Sequence, residues 1–133
     1  MAEVDNEIRS FLAGEAITKR NVVKLGTTAN YVLVADDDDA PLGVAKYTVA
    51  SGEVCEVITE GTVEVIADGS GVDRLTSTKP TLVCSGTSGV VKALPSSTGD
   101  YYTLGEVDAV EGNTSASGKM YVKINRQRIY VHA

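Results

Sequence analysis

The stretch Pro41–Ile66, PLGVAKYTVASGEVCEVITEGTVEVI, decides how this chain folds. It opens on a Leu-Gly-Val-Ala run and turns at Ser51-Gly52-Glu53. Two β-rich runs follow, divided at Glu60-Gly61. Val63 and Val65 alternate with Thr62 and Glu64, the period of a strand with one buried face. The pattern predicts a strand over 44–49 and then a hairpin made of 54–59 and 62–66. A weaker copy lies toward the C-terminus, where Leu104-Gly105 answers Leu42-Gly43 and Ser117-Gly118-Lys119 answers Ser51-Gly52-Glu53. Taken from that turn without a gap, Val54 falls on Met120, Ile58 on Ile124, Val63 on Ile129 and Val65 on Val131. Upstream, Asn21–Leu25 (NVVKL) matches Gly89–Ala93 (GVVKA). Repetition of this kind points to two halves built alike, spanning residues 17–66 and 81–131.

The composition agrees with a β fold. The chain has 133 residues with 13 Gly, 3 Pro, no Trp and one Phe, enough length for one domain with a core of Val, Leu, Ile and Ala. Short Val-rich runs punctuated by Gly, Ser, Thr and Asn predict an all-β architecture, a small β-barrel or sandwich of about ten short strands. Residues 1–13 read as an N-terminal arm before a single β-rich domain, 14–133. Within the arm Val4, Ile8, Phe11 and Leu12 recur at helical spacing, and so short a helix is marginal alone.

The net charge of −6 excludes the basic footprint of a nucleic-acid binder. No apolar run reaches the length of a membrane span. The acidic first residues lack the apolar core of a signal peptide, so synthesis in a host cytoplasm is expected. In that reducing setting Cys55 and Cys84 are expected to be buried free thiols.

The residues that could carry chemistry do not assemble a catalytic pattern. Asp36–Asp39 is a run of four like charges and reads as an exposed loop. It lacks the alternating ligands, central Gly and closing Glu of a calcium loop, so neither metal nor cofactor is expected. His132, the single histidine, stands beside the C-terminal residue with no evident partner for general-base work. Ser85, Ser88, Ser96 and Ser97 sit in no nucleophile elbow. The chain reads as a non-enzyme.

Surface chemistry is more informative. Tyr31, Tyr47, Tyr101, Tyr102, Tyr121 and Tyr130 fall in or beside strands, where tyrosine serves either the edge of a core or an interface. Between Asp36 and Asp68 nine acidic residues accompany one Lys, whereas Lys119 onward has four basic residues and no acidic one. At the matched positions Glu53 stands against Lys119 and Glu60 against Arg126. That inversion predicts that the two halves meet, within a subunit or across a homo-oligomer. The interface candidates are Glu53, Glu60, Lys119, Arg126, Tyr121 and Tyr130.

The order Gly14-Glu15-Ala16-Ile17, Val22–Leu25, Pro41–Ala45, Ala50–Val54, Glu56-Val57 and Gly61–Val65 resembles the capsid cement, or head decoration, proteins of tailed bacteriophages. Their core pattern of Gly-Val-Ala, then Gly-Glu, then Gly with alternating Val recurs here over roughly Gly14–Val110. The resemblance implies a structural virion protein without cofactor or catalytic residues. Such a protein binds the major capsid protein on the outer surface of the head, commonly as a trimer, and stabilises the shell against internal DNA pressure. Val4, Ile8, Phe11 and Leu12 are then the candidate capsid-binding residues. The alternative is a receptor- or carbohydrate-binding β-domain of a phage fibre or cell surface, with Tyr101 and Tyr102 as a sugar platform. A third reading makes Asp36–Asp39 the acid cluster of a small β-barrel enzyme.

Overall fold

The structure, a computed structural model, describes residues 4–68, 81–108 and 118–133. The expected polar connection after Ala67 and the long turn at Glu111–Gly118 lie largely outside those residues. Among the described residues nine strands follow in order: β1 (Val4–Ala13), β2 (Val22–Leu25), β3 (Tyr31–Val34), β4 (Gly43–Ala45), β5 (Val54–Ile66), β6 (Leu82–Ser85), β7 (Val91–Ala93), β8 (Gly99–Val107) and β9 (Lys119–Val131). Among the described residues the only helical turn is the short 3-10 segment Thr87–Gly89.

The strands close into two rings that share β5. In the first, β1 pairs with β3, β3 with β2, β2 with β4, β4 with β5, and β5 returns to β1. In the second, the C-terminal half of β5 pairs with β9, β9 with β8, β8 with β6, and β6 with β7. A parallel bridge between Ala67 and Val91 closes it.

The two rings are equivalent residue by residue. Val22↔Val44 and Val23↔Gly43 in the first correspond to Leu82↔Glu106 and Val83↔Gly105 in the second. The β2–β3 register Val23↔Val34 corresponds to Val83↔Ala93. Ala45↔Val57 corresponds to Val107↔Val122. Even the closures agree. Gly14 N donates to Val32 O at 2.9 Å and Asp68 N to Val91 O at 3.0 Å, while Ala13 N donates to Glu53 O at 2.9 Å and Ala67 N to Gly118 O at 3.1 Å. So β1 is to the first ring what the C-terminal half of β5 is to the second.

Four expectations are corrected by this geometry. The N-terminal segment is a strand and not a helix, because its backbone pairs along β5 from Val4↔Thr62 to Leu12↔Val54. That pairing outweighs a weak helical spacing. Val54–Ile66 is one continuous strand and not a hairpin at Glu60-Gly61; the ladder to β1 shifts register near Glu7 instead, a β-bulge. The gapless match of the copies is one residue out of step. Cys55, Val57 and Thr59 are the residues that β5 turns into the first ring, and Met120, Val122 and Ile124 are those that β9 turns into the second. Finally, Asn21–Leu25 is not the counterpart of Gly89–Ala93: β2 corresponds to β6 and β3 to β7.

Burial explains the apolar runs. One cluster, inside the first ring, holds Ala13, Ile17, Val23, Val32, Leu42, Ala45, Cys55 and Val57. The other fills the second ring with Val63, Val65, Val83, Val91, Leu104, Val107, Met120, Val122 and Ile124, and it also takes Val22, Val44 and Ile58 from the outer face of the first. Strands buried on both faces read as unbroken apolar runs, which accounts for Val22-Val23, Gly43–Ala45 and Val57-Ile58. The equivalent outer positions of the second ring are Leu82, Glu106 and Lys123, none of them buried. A polar outer face of that kind caps a terminal repeat.

Candidate functional site

The pairing of β5 with β9 runs from Ile66↔Lys119 to Thr62↔Lys123 and ends. Beyond that point β5 turns into the first ring while β9 follows β8. The divergence opens a groove of about 570 Å³ between the rings, its walls including Glu7, Thr59 and Glu60 on one side and Asn125–Arg128 with Tyr102 on the other. Both long strands are irregular here. The β8–β9 ladder passes from Gly105↔Ile124 to Thr103↔Gln127, so β9 carries an extra residue at Asn125-Arg126. Bulges of this kind re-aim side chains at the rims of barrels. Thr59 is buried, and its hydroxyl donates to Glu7 Oε1 at 2.5 Å, which anchors the acidic wall.

Past the groove, Gly99–Thr103 and Gln127–Val131 continue as a two-stranded ribbon. Asp100↔Tyr130 and Tyr102↔Arg128 are direct partners, so those four side chains share one face. Tyr102 is 45% and Tyr130 57% exposed. Arg128 Nη2 donates to Asp100 Oδ2 at 2.9 Å, a contact that raises the guanidinium's pKa further. The His132 ring meets Tyr130 edge to face with centroids 5.4 Å apart. Tyrosine and arginine on one exposed face are the residue types that dominate binding hot spots.

The sequence-selected residues are distributed as follows. Val4 (51% exposed) and Ile8 (39%) point outward on β1, whereas Phe11 packs on the first-ring core under the Arg9 guanidinium, 5.3 Å from its centroid. Leu12 is half-buried. Glu60 and Arg126 line the same groove. Glu53 and Lys119 are separated along β5: Glu53 precedes the strand and caps its turn by accepting from Ala50 N at 2.6 Å, while Lys119 pairs with Ile66 at the far end. Tyr121 lies opposite Glu64. The charge inversion at matched positions does not survive the corrected alignment, which sets Glu60 against Asn125 and Gly61 against Arg126. None of the six tyrosines is fully buried, and Tyr47, Tyr102 and Tyr130 are exposed.

The acidic run does more than face solvent. Lys24 Nζ reaches Asp39 Oδ2 at 2.7 Å, and Lys92 Nζ, on the second ring, reaches Asp37 and Asp38, each at 2.7 Å. Asp38 N donates to Ser85 O at 3.1 Å, Gly89 N to Ala35 O at 2.8 Å, and Ser88 N to Asp36 Oδ1 at 3.2 Å. The loop is a clasp between the rings. The bond from Lys24 lowers the Asp39 pKa despite partial burial. Burial alone would lower that of Lys92, but its bonds to Asp37 and Asp38 outweigh it and raise it. A pattern of local charge could not reveal this, because the cations stand 12 or more residues away in the chain. Among the described residues no group of three metal-ligating side chains is present. Cys55 and Cys84 are free and buried; burial pushes the Cys84 thiol up to about 11.

The fold is therefore a pair of fused β-rings with an open polar groove at their junction. Among solved structures it is similar to the N base of head fiber gp8.5 in bacteriophage phi29, with a TM-score of 0.56 and 16% identity, covering 92% of this chain and 97% of that one. The likeness is one of fold. No family model matches the chain, and no curated protein matches it.

Proposed function

We propose that this chain is a structural virion protein of a tailed phage that binds the outer surface of the head and stabilises the shell against packaged DNA. The observation that carries the reading is the fold: both rings, end to end, share their architecture with a protein of a phage head fiber. The order of motifs that resembles the cement family points the same way. Among the described residues, exposed large apolar side chains include Val4 and Ile8 on β1 and Tyr102 and Tyr130 on the ribbon, with Leu25, Tyr47 and Val54 elsewhere on the surface. Such a protein needs only a rigid body and an adhesive margin. A modest contact free energy per copy, repeated over a shell, opposes rupture by mass action. Co-sedimentation of the purified chain with expanded, undecorated heads tests the reading. Saturable binding with a raised shell rupture temperature supports it, and a well-folded chain left entirely in the supernatant refutes it.

The groove favours a second reading, a carbohydrate- or receptor-binding module. Tyr102 offers a ring for stacking, and Asn125, Gln127 and Arg126 offer hydrogen bonds beside it. Binding on a glycan array, abolished by Tyr102→Ala, would establish that reading in place of the first.

A further inference from the structure

The junction groove carries opposite charges on its two walls. On the β9 wall Arg128 is paired with Asp100 at 2.9 Å, whereas Arg126 is exposed and forms no ion pair among the described residues. On the other wall the hydroxyl of the buried Thr59 occupies one oxygen of Glu7 and leaves the second to accept. Glu60, the strand partner of Glu7, is also exposed and without an ion pair among the described residues. Asn125 and Gln127 set amide groups beside Arg126, and the exposed Tyr102 borders them. A second hollow of about 300 Å³ meets the groove at Ala40, Pro41 and Arg126 and continues to Leu25. Arg126 thus stands between two successive hollows, room for a chain of small units.

Building on the carbohydrate reading of the groove, and not on attachment to a shell, we propose that it binds a hexuronic-acid residue of an acidic oligosaccharide. Such a sugar carries a carboxylate on one edge of its ring and a vicinal diol on the opposite edge. The groove has the same polarity. Arg126 takes the carboxylate through two parallel N–H donors, and the amides of Asn125 and Gln127 donate beside it. Glu7 and Glu60 accept from the diol, and the Tyr102 ring packs on the apolar face of the sugar. The neighbouring hollow at Leu25 and Pro41 receives the next unit of the chain. A neutral sugar leaves Arg126 without a counter-charge. A plain polyanion is repelled by Glu7 and Glu60 and by the net charge of −6. Only a ligand with a carboxylate on one side and hydrogen-bond donors on the other gains from both walls.

Calorimetric titration of the full chain tests it with trimers of glucuronate, galacturonate and mannuronate, each beside its methyl ester and the neutral hexose trimer. Saturable binding of at least one triuronide is expected. Its methyl ester keeps the diol and loses the charge, and should bind about ten- to a hundredfold more weakly. Arg126→Gln should cost the acid the same factor, leave the ester unchanged and not move the melting temperature, and Arg126→Lys should recover part of the loss. Tyr102→Ala should weaken acid and ester alike. Equal binding of acid, ester and neutral trimer overturns the assignment and keeps the carbohydrate reading, whereas no binding of any saccharide overturns both. Triuronide binding that Arg126→Gln leaves intact lies elsewhere on the chain and overturns the assignment. So does equal binding of triglutamate, the mark of a general grip on anions.

Discussion

Gly43 and Gly105 hold equivalent places in the two rings and provide a matched test of that equivalence. A Cβ added at Gly43 would stand 2.3 Å from Ile58 O, and one added at Gly105 would stand 2.0 Å from Lys123 O. Both obstacles are main-chain carbonyls of the shared or paired long strand, so no flexible side chain can give way. Relief requires separating β4 from β5, or β8 from β9, by about an ångström at a buried position. Overpacking a core costs about 1–3 kcal/mol, and a backbone obstacle places these cases at or above the upper end. We predict that Gly43→Ala and Gly105→Ala each lose about 3 kcal/mol, a large share of the roughly 5–15 kcal/mol of a typical domain. For a chain of this length the melting temperature should fall by about 10 °C. Gly52→Ala and Gly118→Ala are the controls. Nothing lies within 4 Å of either added Cβ, but φ is +87° and +74°, so each should cost only about 1–2 kcal/mol for the left-handed conformation. Urea denaturation of the four variants reads these values directly. If Gly43→Ala is severe and Gly105→Ala is neutral, the equivalence of the rings is wrong.

The other predictions address the clasp, the first strand and the core. Lys92→Ala should remove the contacts to Asp37 and Asp38 and cost about 1–2 kcal/mol, more than an exposed pair because Lys92 is only 15% exposed; an unchanged denaturation midpoint would show the clasp to be idle. Asp39 has a lowered pKa, so its stabilisation holds above the unfolded value of about 3.9 and is lost as pH falls through the folded value. Lys92 has a raised one, so its share holds below about 10.4 and is lost as pH rises through the folded value. The Lys92→Ala deficit should therefore shrink in strong alkali, as pH rises through the folded value of Lys92, measurable as a converging pair of stability curves. Deleting residues 1–13 should open the first ring and destroy the cooperative melt, whereas a detached arm would leave it untouched. Leu104→Ala, at a fully buried position, should cost about 2–5 kcal/mol by calorimetry. Native Cys84 should resist iodoacetamide at pH 8, since its thiol is buried and titrates near 11; rapid labelling would contradict that burial.

Much of the architecture was legible in the residues, and what was not has physical causes. Gly turns and Val runs mark strands whatever their partners, so the all-β class and the likeness of Leu42-Gly43 to Leu104-Gly105 could be read directly. Register could not. A strand's side chains alternate, and a one-residue difference after the Gly52 and Gly118 turns reverses which residues face inward. The Val-Val-Lys of 22–24 and 90–92 misled for a related reason: each pair of valines is shared between two faces, and identity says nothing about which strand carries it. Val4, Ile8, Phe11 and Leu12 mimicked a helix because a strand exposed along most of its length has no alternation to show. The junction groove was beyond reach, since it exists only where Thr62↔Lys123 ends the ladder. Arg126 and Glu60 were selected through an alignment that the structure revises, yet the fold brings them to one groove.

The claim on which the account depends is that this chain is part of the phage head. Gradient-purified heads, freed of tails and of unassembled protein, should contain it in many copies per particle by quantitative mass spectrometry, and limited proteolysis of the intact heads should cleave it. Heads that lack the chain while the same lysate contains it in soluble form would contradict the account.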